Sequence, residues 1–391
     1  MINTDPKKIE EILERGVSEV IDKENLKKKL LSGKSLRIKL GIDPTSPNLH
    51  IGRAIPLLKL RDFQNLGHKV VLIIGDFTGI IGDTSDKDSE RPMLDARLIK
   101  ENMKTYVKQA GKILDMRKCE LKYNSVWLKK LGFVEIGKMA NLFGLHEFES
   151  RENISTRLKA GKRVSLRELL YPLMQGYDSV AVRADVELGG TDQRFNLLAG
   201  RDVQKYYDQE PQDIMTNPLI EGLDGRKMSS SWGNTINLFD SADEMFGKTM
   251  SLPDELIIKY LILVTRTPLE KIEEIKNMVN PRDQKAMLAR EIVKMYHGEK
   301  EAKKSEEEFN NVFVKKGLPS DIKTFEFQLP KDIVYILVNT GIASSKKQAW
   351  RLVNQGGVNF NNRVIKNPRE EIIEDGVVRV GIRFAKIISK K

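Results

Sequence analysis

The sequence contains 391 residues, enough for two or three domains with separate hydrophobic cores. Apolar residues make up 40% and charged residues 31%, and no apolar run reaches the roughly 18 residues that span a bilayer. The polar, partly acidic first ten residues do not resemble a secretory signal, so we expect a cytoplasmic protein without a membrane partner.

Cysteine and histidine usage argues against two kinds of site. The single cysteine, Cys119, cannot form an internal disulfide, and its position after Lys118 fits a strand residue better than a nucleophile. The four histidines are far apart and lack the paired spacing of metal ligands. The sequence therefore predicts no protein-bound metal.

The formal net charge of +11 is concentrated near the C-terminus. Residues 331–391 contain twelve Lys or Arg and five Asp or Glu. A basic module of this kind indicates a polyanionic partner, most simply RNA. Composition alone also allows a lysine-rich surface that binds nothing.

The N-terminal region leads to a candidate nucleotide site. Apolar residues at helical spacing predict one helix over 7–31, and alternation over 36–42 predicts a strand. Two Pro-containing turns follow, and a helix can begin near His50. A helix start at the carboxyl end of a strand is where an anionic or nucleotide ligand binds. In isolation, such a motif is more often an ordinary strand-to-helix turn with a capping histidine.

A second strand is predicted over 70–74, where an unbroken apolar run is typical of a parallel strand covered on both faces. It leads into a glycine-rich segment with acidic residues that ends at Asp83, where a ligand crevice should open. A polar loop with Lys87 and Arg91 follows. The pattern then predicts a helix over 92–114 and a short strand over 119–123.

A polar stripe is predicted on the helix over 166–180. Tyr171, Gln175 and Asp178 fall on one face of it, which suggests a pocket for a polar ligand. Tyr171 and Gln175 would also suit a partly exposed surface. A strand from Val186 then leads through a Gly-Gly-Thr-Asp-Gln turn into another helix.

The loop over 221–234 carries Lys227 among glycines and serines, and it could close over a phosphate, although such a string also occurs by chance. Residues 236–316 have the pattern of a helical bundle, and 317–330 lack a helical period. The end of the chain predicts helices over 332–339 and 345–354 and strands over 358–365 and 377–388.

Six segments, in order and spacing, resemble tyrosyl-tRNA synthetases of class I. They are GIDPT (41–45), HIG (50–52), GD (82–83), YPLMQGYD (171–178), GGTDQ (189–193) and KMSSS (227–231). The resemblance covers nearly the whole chain and implies an α/β fold. It implies a Rossmann-like parallel-sheet catalytic domain over 1–235, an α-helical domain over 236–320, a linker over 321–330 and a small α+β S4-like RNA-binding domain over 331–391.

The resemblance also implies the activity of a tyrosine-tRNA ligase. Tyrosine would react with ATP to give tyrosyl-adenylate, and the tyrosyl group would pass to the 3′ end of tRNA(Tyr). Mg²⁺ would arrive bound to the ATP phosphates, and the protein would be a homodimer. No covalent enzyme intermediate is needed, so catalysis would consist of positioning and charge stabilisation.

Residue roles carry over position by position. The implied catalytic residues are Thr45, His50, Lys87, Arg91 and Lys227. The implied ATP-binding residues are His50, Gly52, Asp192, Lys227 and Met228. The implied tyrosine-binding residues are Asp83, Tyr171, Gln175, Asp178 and Gln193. The expected RNA-binding residues are Lys346, Lys347 and Arg351.

Three positions depart from the family pattern. Arg53 replaces the usual His or Asn, Ser230 replaces the second lysine of the loop, and Lys39 stands where many relatives have a tyrosine. A tryptophanyl-type synthetase and a catalytically silent RNA-binding paralogue therefore stay as alternatives. A plain nucleotide-binding α/β protein is the third.

Overall fold

A computed structural model describes residues 2–84, 92–314, 322–381 and 383–390. The chain divides into two compact units, which we describe separately. The first unit contains residues 1–240 and 248–296, and the second contains 241–247 and 297–391. Compactness assigns no function to either unit, so the domain bounds expected from the sequence stay a prediction.

The regular elements of the described residues are as follows. The α-helices are α1 (Pro6–Glu14), α2 (Lys23–Leu31), α3 (Ile51–Asn65), α4 (Thr78–Ile81), α5 (Ala96–Ala110), α6 (Ser125–Leu128), α7 (Phe133–Ala140), α8 (Leu145–Glu149), α9 (Glu152–Lys159), α10 (Leu166–Val182), α11 (Arg194–Tyr206), α12 (Ala242–Met250), α13 (Ile257–Val264), α14 (Leu269–Lys276), α15 (Pro281–His297), α16 (Glu299–Phe309), α17 (Ile333–Asn339) and α18 (Lys346–Asn354). The strands are β1 (Glu19–Ile21), β2 (Arg37–Ile42), β3 (Lys69–Ile74), β4 (Cys119–Tyr123), β5 (Val186–Gly190), β6 (Asp213–Asn217), β7 (Thr324–Phe327), β8 (Lys331–Asp332), β9 (Val358–Phe360), β10 (Arg363–Val364), β11 (Glu371–Ile372), β12 (Gly376–Val380) and β13 (Arg383–Ser389).

A six-stranded sheet in the order β1-β6-β5-β2-β3-β4 forms the centre of the first unit. Strands β2 to β6 pair in parallel, whereas β1 pairs antiparallel to β6 at the edge. The expected parallel-sheet α/β fold is confirmed, and β4 has the predicted bounds with Cys119 on it. Because β2 lies between β3 and β5, the carboxyl ends of these strands surround a switch point where ligands bind.

Buried apolar side chains explain this parallel arrangement. Five consecutive residues of β3, from Val70 to Ile74, are buried, as expected for a strand covered on both faces. Helices α10 and α11 pack closely near Gly176. A Cβ atom there would lie 2.9 Å from Cγ2 of Val203, so only glycine permits this approach. The contact fixes the helix that carries Tyr171, Gln175 and Asp178.

The prediction of one helix over 7–31 is wrong. Gly16 has a φ of +63°, which ends the first helical segment, and Glu19–Ile21 instead form β1. Asp22 then caps α2 by accepting a hydrogen bond from the backbone N–H of Asn25 at 3.2 Å. Both ends of the predicted range are helical, as α1 and α2, but the turn at Gly16 and strand β1 separate them.

The second unit contains a five-stranded sheet in the order β10-β9-β12-β13-β7, with a two-stranded sheet of β8 and β11. The predicted single strands over 358–365 and 377–388 are wrong, because each is a hairpin. Asn361 and Asn362 have φ values of 48° and 66°, as a two-residue turn requires, and Gly381 at 59° ends β12. Residues 324–327, within the expected linker, form β7 because they alternate in burial and pair with β13.

Helices α17 and α18 of the second unit are close to their predicted ranges. Ser345 caps α18 by accepting from the backbone N–H of Gln348 at 3.3 Å. Lys346, Lys347 and Arg351 are exposed on this helix, as expected of a basic outer face. Within the described ranges, no helix has the length and apolar character needed to cross a membrane. The cytoplasmic location stays a prediction.

Candidate active site

A cavity of about 670 Å³ opens at the carboxyl ends of β2, β3 and β5 in the first unit. It brings together all the site residues predicted from this unit that the structure describes. They are Thr45, His50, Gly52, Asp83, Tyr171, Gln175, Asp178, Asp192, Gln193, Lys227 and Met228. Lys87 and Arg91 lie outside the described residues. The grouping follows from the parallel sheet, since the strand ends that carry these residues meet at one edge.

His50 occupies the start of α3 and is buried, with 7% of its surface exposed. Burial lowers its pKa to about 3, and the nearby charges of Arg53 and Lys227 act in the same direction. Its Nδ1 atom has no hydrogen-bond partner within the described part of the chain. A neutral imidazole that lines the cavity suits hydrogen bonding to a polar ligand.

Gly52 allows a close approach beside this imidazole. A Cβ atom at Gly52 would lie 3.1 Å from both the His50 ring and Cγ2 of Ile220. Any larger residue would push the ring or narrow the cavity. The sequence argument for a small residue at this position therefore has a direct steric basis.

A pair of carboxylates lies on the acidic side of the cavity. Asp43, at the end of β2, accepts hydrogen bonds from Thr78 Oγ1 at 2.7 Å and from the Tyr171 hydroxyl at 2.8 Å. Burial raises the pKa of Asp43 to about 6. Asp83 accepts from Nε2 of Gln193 at 2.6 Å. Asp43 was not among the predicted site residues, because Asp43-Pro44 was interpreted as the end of a strand and as part of a family motif without a binding role.

Asp178 is a second, separate acceptor. Its carboxylate accepts from Trp127 Nε1 at 2.7 Å and from Asn124 Nδ2 at 3.2 Å. Burial raises the pKa of Asp178 to about 7, while the positive charge of Lys39 and the two hydrogen bonds oppose the rise. Asn124 and Trp127 were not predicted as site residues, although their position directly after β4 places them at the same sheet edge.

The loop over 221–234 lies along the cavity. Nζ of Lys227 is 3.2 Å from Oδ2 of Asp192, and Met228 is buried. Arg226 pairs with Asp224 at 2.5 Å and lies over the Trp232 ring at 4.7 Å from its centre. The loop thus offers one lysine to the cavity, next to Asp192, a predicted ATP-binding residue.

No group of three or more His, Cys, Asp or Glu side chains suited to holding a metal occurs among the residues described. Asp192 is paired with Lys227 and Asp83 accepts from Gln193, so the carboxylates here already have partners. The absence of a protein-held metal stays a prediction from the sequence.

Comparison with known proteins identifies the family to which this chain is similar. The profile described as "tRNA synthetases class I (W and Y)" matches residues 31–314. The chain belongs to this family. A tyrosine–tRNA ligase from Thermotoga maritima is 48% identical over 386 residues, covering 97% of this chain and 96% of that protein. A tyrosine–tRNA ligase from Carboxydothermus hydrogenoformans is 45% identical, covering 97% and 98%.

Solved structures support the synthetase fold. A truncated mitochondrial tyrosyl-tRNA synthetase from Aspergillus nidulans has a TM-score of 0.66 at 23% identity and covers 78% of this chain and 94% of that one. The Archaeoglobus fulgidus tyrosyl-tRNA synthetase complexed with L-tyrosine has a TM-score of 0.62 at 21% identity, covering 77% and 100%. At these identities the likeness concerns the fold alone.

Two departures from the synthetase pattern lie close together. Nη2 of Arg53 donates to Oγ1 of Thr45 at 3.0 Å, and Nη1 donates to the Tyr106 hydroxyl at 3.2 Å. The hydroxyl oxygens of Ser230 and Ser46 are 3.5 Å apart. The arginine therefore supplies a positive charge beside Thr45, in the part of the cavity where the loop serine lies.

The third departure, Lys39, does not line the cavity. Its ammonium group is buried and is 2.9 Å from Oε1 of Glu187. It is therefore not placed to contact a ligand in the cavity. Asn124 and Trp127 are the neutral hydrogen-bonding side chains that hold Asp178 instead.

Proposed function

We propose that this chain is a tyrosine–tRNA ligase, which activates L-tyrosine with ATP and transfers it to tRNA(Tyr). The observation that carries the proposal is the distribution of acceptors within one cavity. A buried carboxylate, Asp178, suits a phenol hydroxyl, while Asp83, Tyr171 and Gln175 suit an ammonium group. The near full-length similarity to two tyrosine–tRNA ligases supports tyrosine as the substrate.

A tryptophan substrate is the nearest alternative. An indole N–H could also donate to Asp178, so the carboxylate alone does not separate the two amino acids. The profile that matches the chain includes both kinds of synthetase. The full-length relatives at 48% and 45% identity are tyrosine enzymes, and this favours tyrosine.

In the first step, the tyrosine carboxylate attacks the α-phosphorus of ATP, and pyrophosphate leaves with the electrons of the broken P–O bond. The side chains that face the phosphates need only orient them and stabilise the charge that develops on them. His50 would donate as a neutral imidazole, and Thr45 and Lys227 would contact the leaving group. Lys87 and Arg91, with the same assigned role, lie outside the described residues.

In the second step, a hydroxyl of the tRNA terminal ribose attacks the tyrosyl carbonyl, and AMP leaves. No group of the protein becomes covalently attached. Asp192 and Gly52 would hold the adenosine, with Met228 beside them. The contact between Asp192 and Lys227, at 3.2 Å, would open when ribose and phosphate take their places.

Mg²⁺ would enter with ATP. A hard cation prefers oxygen ligands, and the triphosphate supplies them. The cavity carboxylates described above are already hydrogen-bonded or paired, so we assign no protein ligand to the ion.

RNA binding would use the second unit. The exposed cations of α18, Lys346, Lys347 and Arg351, suit contacts with phosphates. Trp350, which is 40% exposed on the same helix, offers a surface for base or ribose packing. This helix would dock folded RNA in an S4-like manner.

A homodimer is the assembly that we propose. Large apolar side chains on α7 and α10, which pack together, are exposed: Phe133 at 90%, Val134 at 73% and Leu166 at 78%. Adjacent exposed apolar side chains such as Phe133 and Val134 mark an interaction surface, whereas single exposed ones are common. The first unit therefore presents a candidate dimer surface around α7 and α10.

Replacing Phe133 with Asp should weaken this dimer. Full burial of a large apolar side chain contributes about 1.5–3 kcal/mol, so the dissociation constant should rise at least about tenfold. Sedimentation equilibrium measures it. The matched control is Val279→Asp, at a valine 99% exposed elsewhere in the unit. Equal dissociation constants for wild type and Phe133→Asp would contradict the assignment.

Tyrosine-dependent exchange of pyrophosphate into ATP tests the proposed function directly. It requires only the first step, so it separates a working synthetase from a silent RNA-binding paralogue. Arg53 and Ser230 are the residues that favour the silent alternative, because each changes the charge near the phosphates. Activity would show that both are tolerated.

A further inference from the structure

Two buried charges lie behind the proposed tyrosine pocket. Lys39 on β2 and Glu187 on β5 are direct neighbours in the sheet, and Nζ lies 2.9 Å from Oε1. Their side chains are 0% and 1% exposed, and neither residue lines the cavity. Removing both charges from water is costly, so a buried pair is weak evidence for a purely stabilising role. The pair also contacts the buried side chains of Ser179 and Gln212, which do not line the cavity, and Gln175, which does.

Gln175, which does line the cavity, is held by both charges. Lys39 Nζ donates to its main-chain oxygen at 2.9 Å, and its side-chain Nε2 donates to Glu187 Oε1 at 3.0 Å. An ionised carboxylate can only accept hydrogen bonds, so Glu187 fixes which end of the amide is the donor. Oε1 of Gln175 is thereby left as an acceptor, which is what an ammonium group needs.

The same orientation continues through Asn196, which is fully buried. Its Nδ2 atom donates to Oε1 of Gln175 at 3.2 Å and to Oε1 of Gln193 at 3.1 Å. Gln193 then donates through Nε2 to Asp83 at 2.6 Å. The orientation of each side-chain amide is therefore fixed by its neighbour, along a chain of hydrogen bonds that runs from Glu187 to Asp83.

We propose that the Lys39–Glu187 pair is a positioning unit for the amino-acid pocket. Acting through Gln175 and Asn196, it holds the acceptors that receive the ammonium group of the substrate. Lys39, Glu187 and Asn196 do not touch the substrate. This inference rests on the proposed function, and it adds three residues that family membership alone does not assign.

Two double variants test it without leaving a buried charge unpaired. Lys39→Met/Glu187→Met removes both charges and the acceptor for Gln175, whereas Lys39→Met/Glu187→Gln keeps an acceptor oxygen at position 187. We expect the first to raise the KM for tyrosine about tenfold or more, because the lost hydrogen bond is to a charged group. The kcat and the KM for ATP should stay within about twofold. In Lys39→Met/Glu187→Gln the KM for tyrosine should rise at least about threefold less than in the Met/Met variant. This corresponds to losing roughly half as much binding free energy for tyrosine.

Pyrophosphate exchange gives these constants, and thermal unfolding gives the stability of each variant. Arg266→Met/Asp62→Asn is the control, because that ion pair, at 2.8 Å, does not line the cavity and should leave the KM unchanged. If the Met variant fails to fold, Asn196→Ala, which keeps the pair, should raise the KM for tyrosine in the same way.

A lower unfolding temperature with a wild-type KM for tyrosine would overturn the inference, because the pair would then be only structural. Equal increases in KM for both double variants would also overturn it. In either case an active wild-type protein would leave the proposed function intact. A wild-type protein without tyrosine-dependent exchange would overturn the proposed function itself.

Discussion

Replacing Lys227 with Ala should lower the rate of tyrosyl-adenylate formation by about 10²- to 10³-fold, the usual effect of removing one donor that stabilises transition-state charge. Lys227 faces the cavity from its loop and is held 3.2 Å from Asp192. Its charge becomes useful when pyrophosphate leaves, so kcat should fall while the KM for tyrosine stays nearly constant. Single-turnover measurements of adenylate formation provide the rate.

The adjacent Arg226 is the matched control for Lys227. It is engaged by Asp224 and Trp232, and it does not line the cavity. We expect Arg226→Ala to reduce the rate less than about tenfold, because it removes a surface ion pair and a cation–π contact of modest energy. An equal loss in both variants would mean that loop structure, and not the Lys227 charge, determines the rate.

Asp178→Ala should remove most of the preference for tyrosine over phenylalanine. In the wild type, phenylalanine would leave the buried carboxylate without a partner for its remaining lone pairs, whereas tyrosine would supply a hydroxyl. Loss of one hydrogen bond to a charged group corresponds to about 1.5–3 kcal/mol, or roughly ten- to a hundredfold in the kcat/KM ratio. Exchange rates with the two amino acids give this ratio.

The pH dependence of kcat/KM for tyrosine should reflect the ionisation of Asp178. Trp127 and Asn124 both donate to Asp178, so the ionised form is the one that fits the site. Since burial raises the pKa of Asp178 to about 7, kcat/KM for tyrosine should increase from pH 6 to pH 8. Asp178→Asn should flatten this rise, while Asp76→Asn, at a carboxylate outside the cavity, should keep it. A rise that persists in Asp178→Asn would assign it to another group.

The sequence was sufficient to predict many, but not all, of the residues that gather at the sheet edge. Strand periodicity located β2, β3 and β4, and parallel pairing brings their carboxyl ends together. Helical spacing placed Tyr171, Gln175 and Asp178 on one face, and the structure turns that face into the cavity. These predictions succeed because local period and sheet geometry determine them. The roles of these residues stay predictions.

Other features depend on contacts between distant parts of the chain. Lys39 and Glu187 each occupy ordinary strand positions, and only the β2–β5 pairing shows that they meet. Asn124 and Trp127 contact Asp178 because β4 pairs with β3, and this pairing is not evident from local periodicity. The hairpin at Asn361-Asn362 was missed for a different reason, since two positive φ values are a matter of turn chemistry and not of periodicity.

Activation of tyrosine by ATP is tested most directly by the exchange of labelled pyrophosphate into ATP. The wild-type protein is assayed with tyrosine, tryptophan and phenylalanine in parallel. We predict exchange with tyrosine, a lower rate with tryptophan, and a rate with phenylalanine that is lower by at least about tenfold, the least that one hydrogen bond to a charged group provides. Preferential exchange with tryptophan would mean that Asp178 receives an indole N–H. Exchange with none of the three would contradict the proposed activity and favour a silent RNA-binding protein.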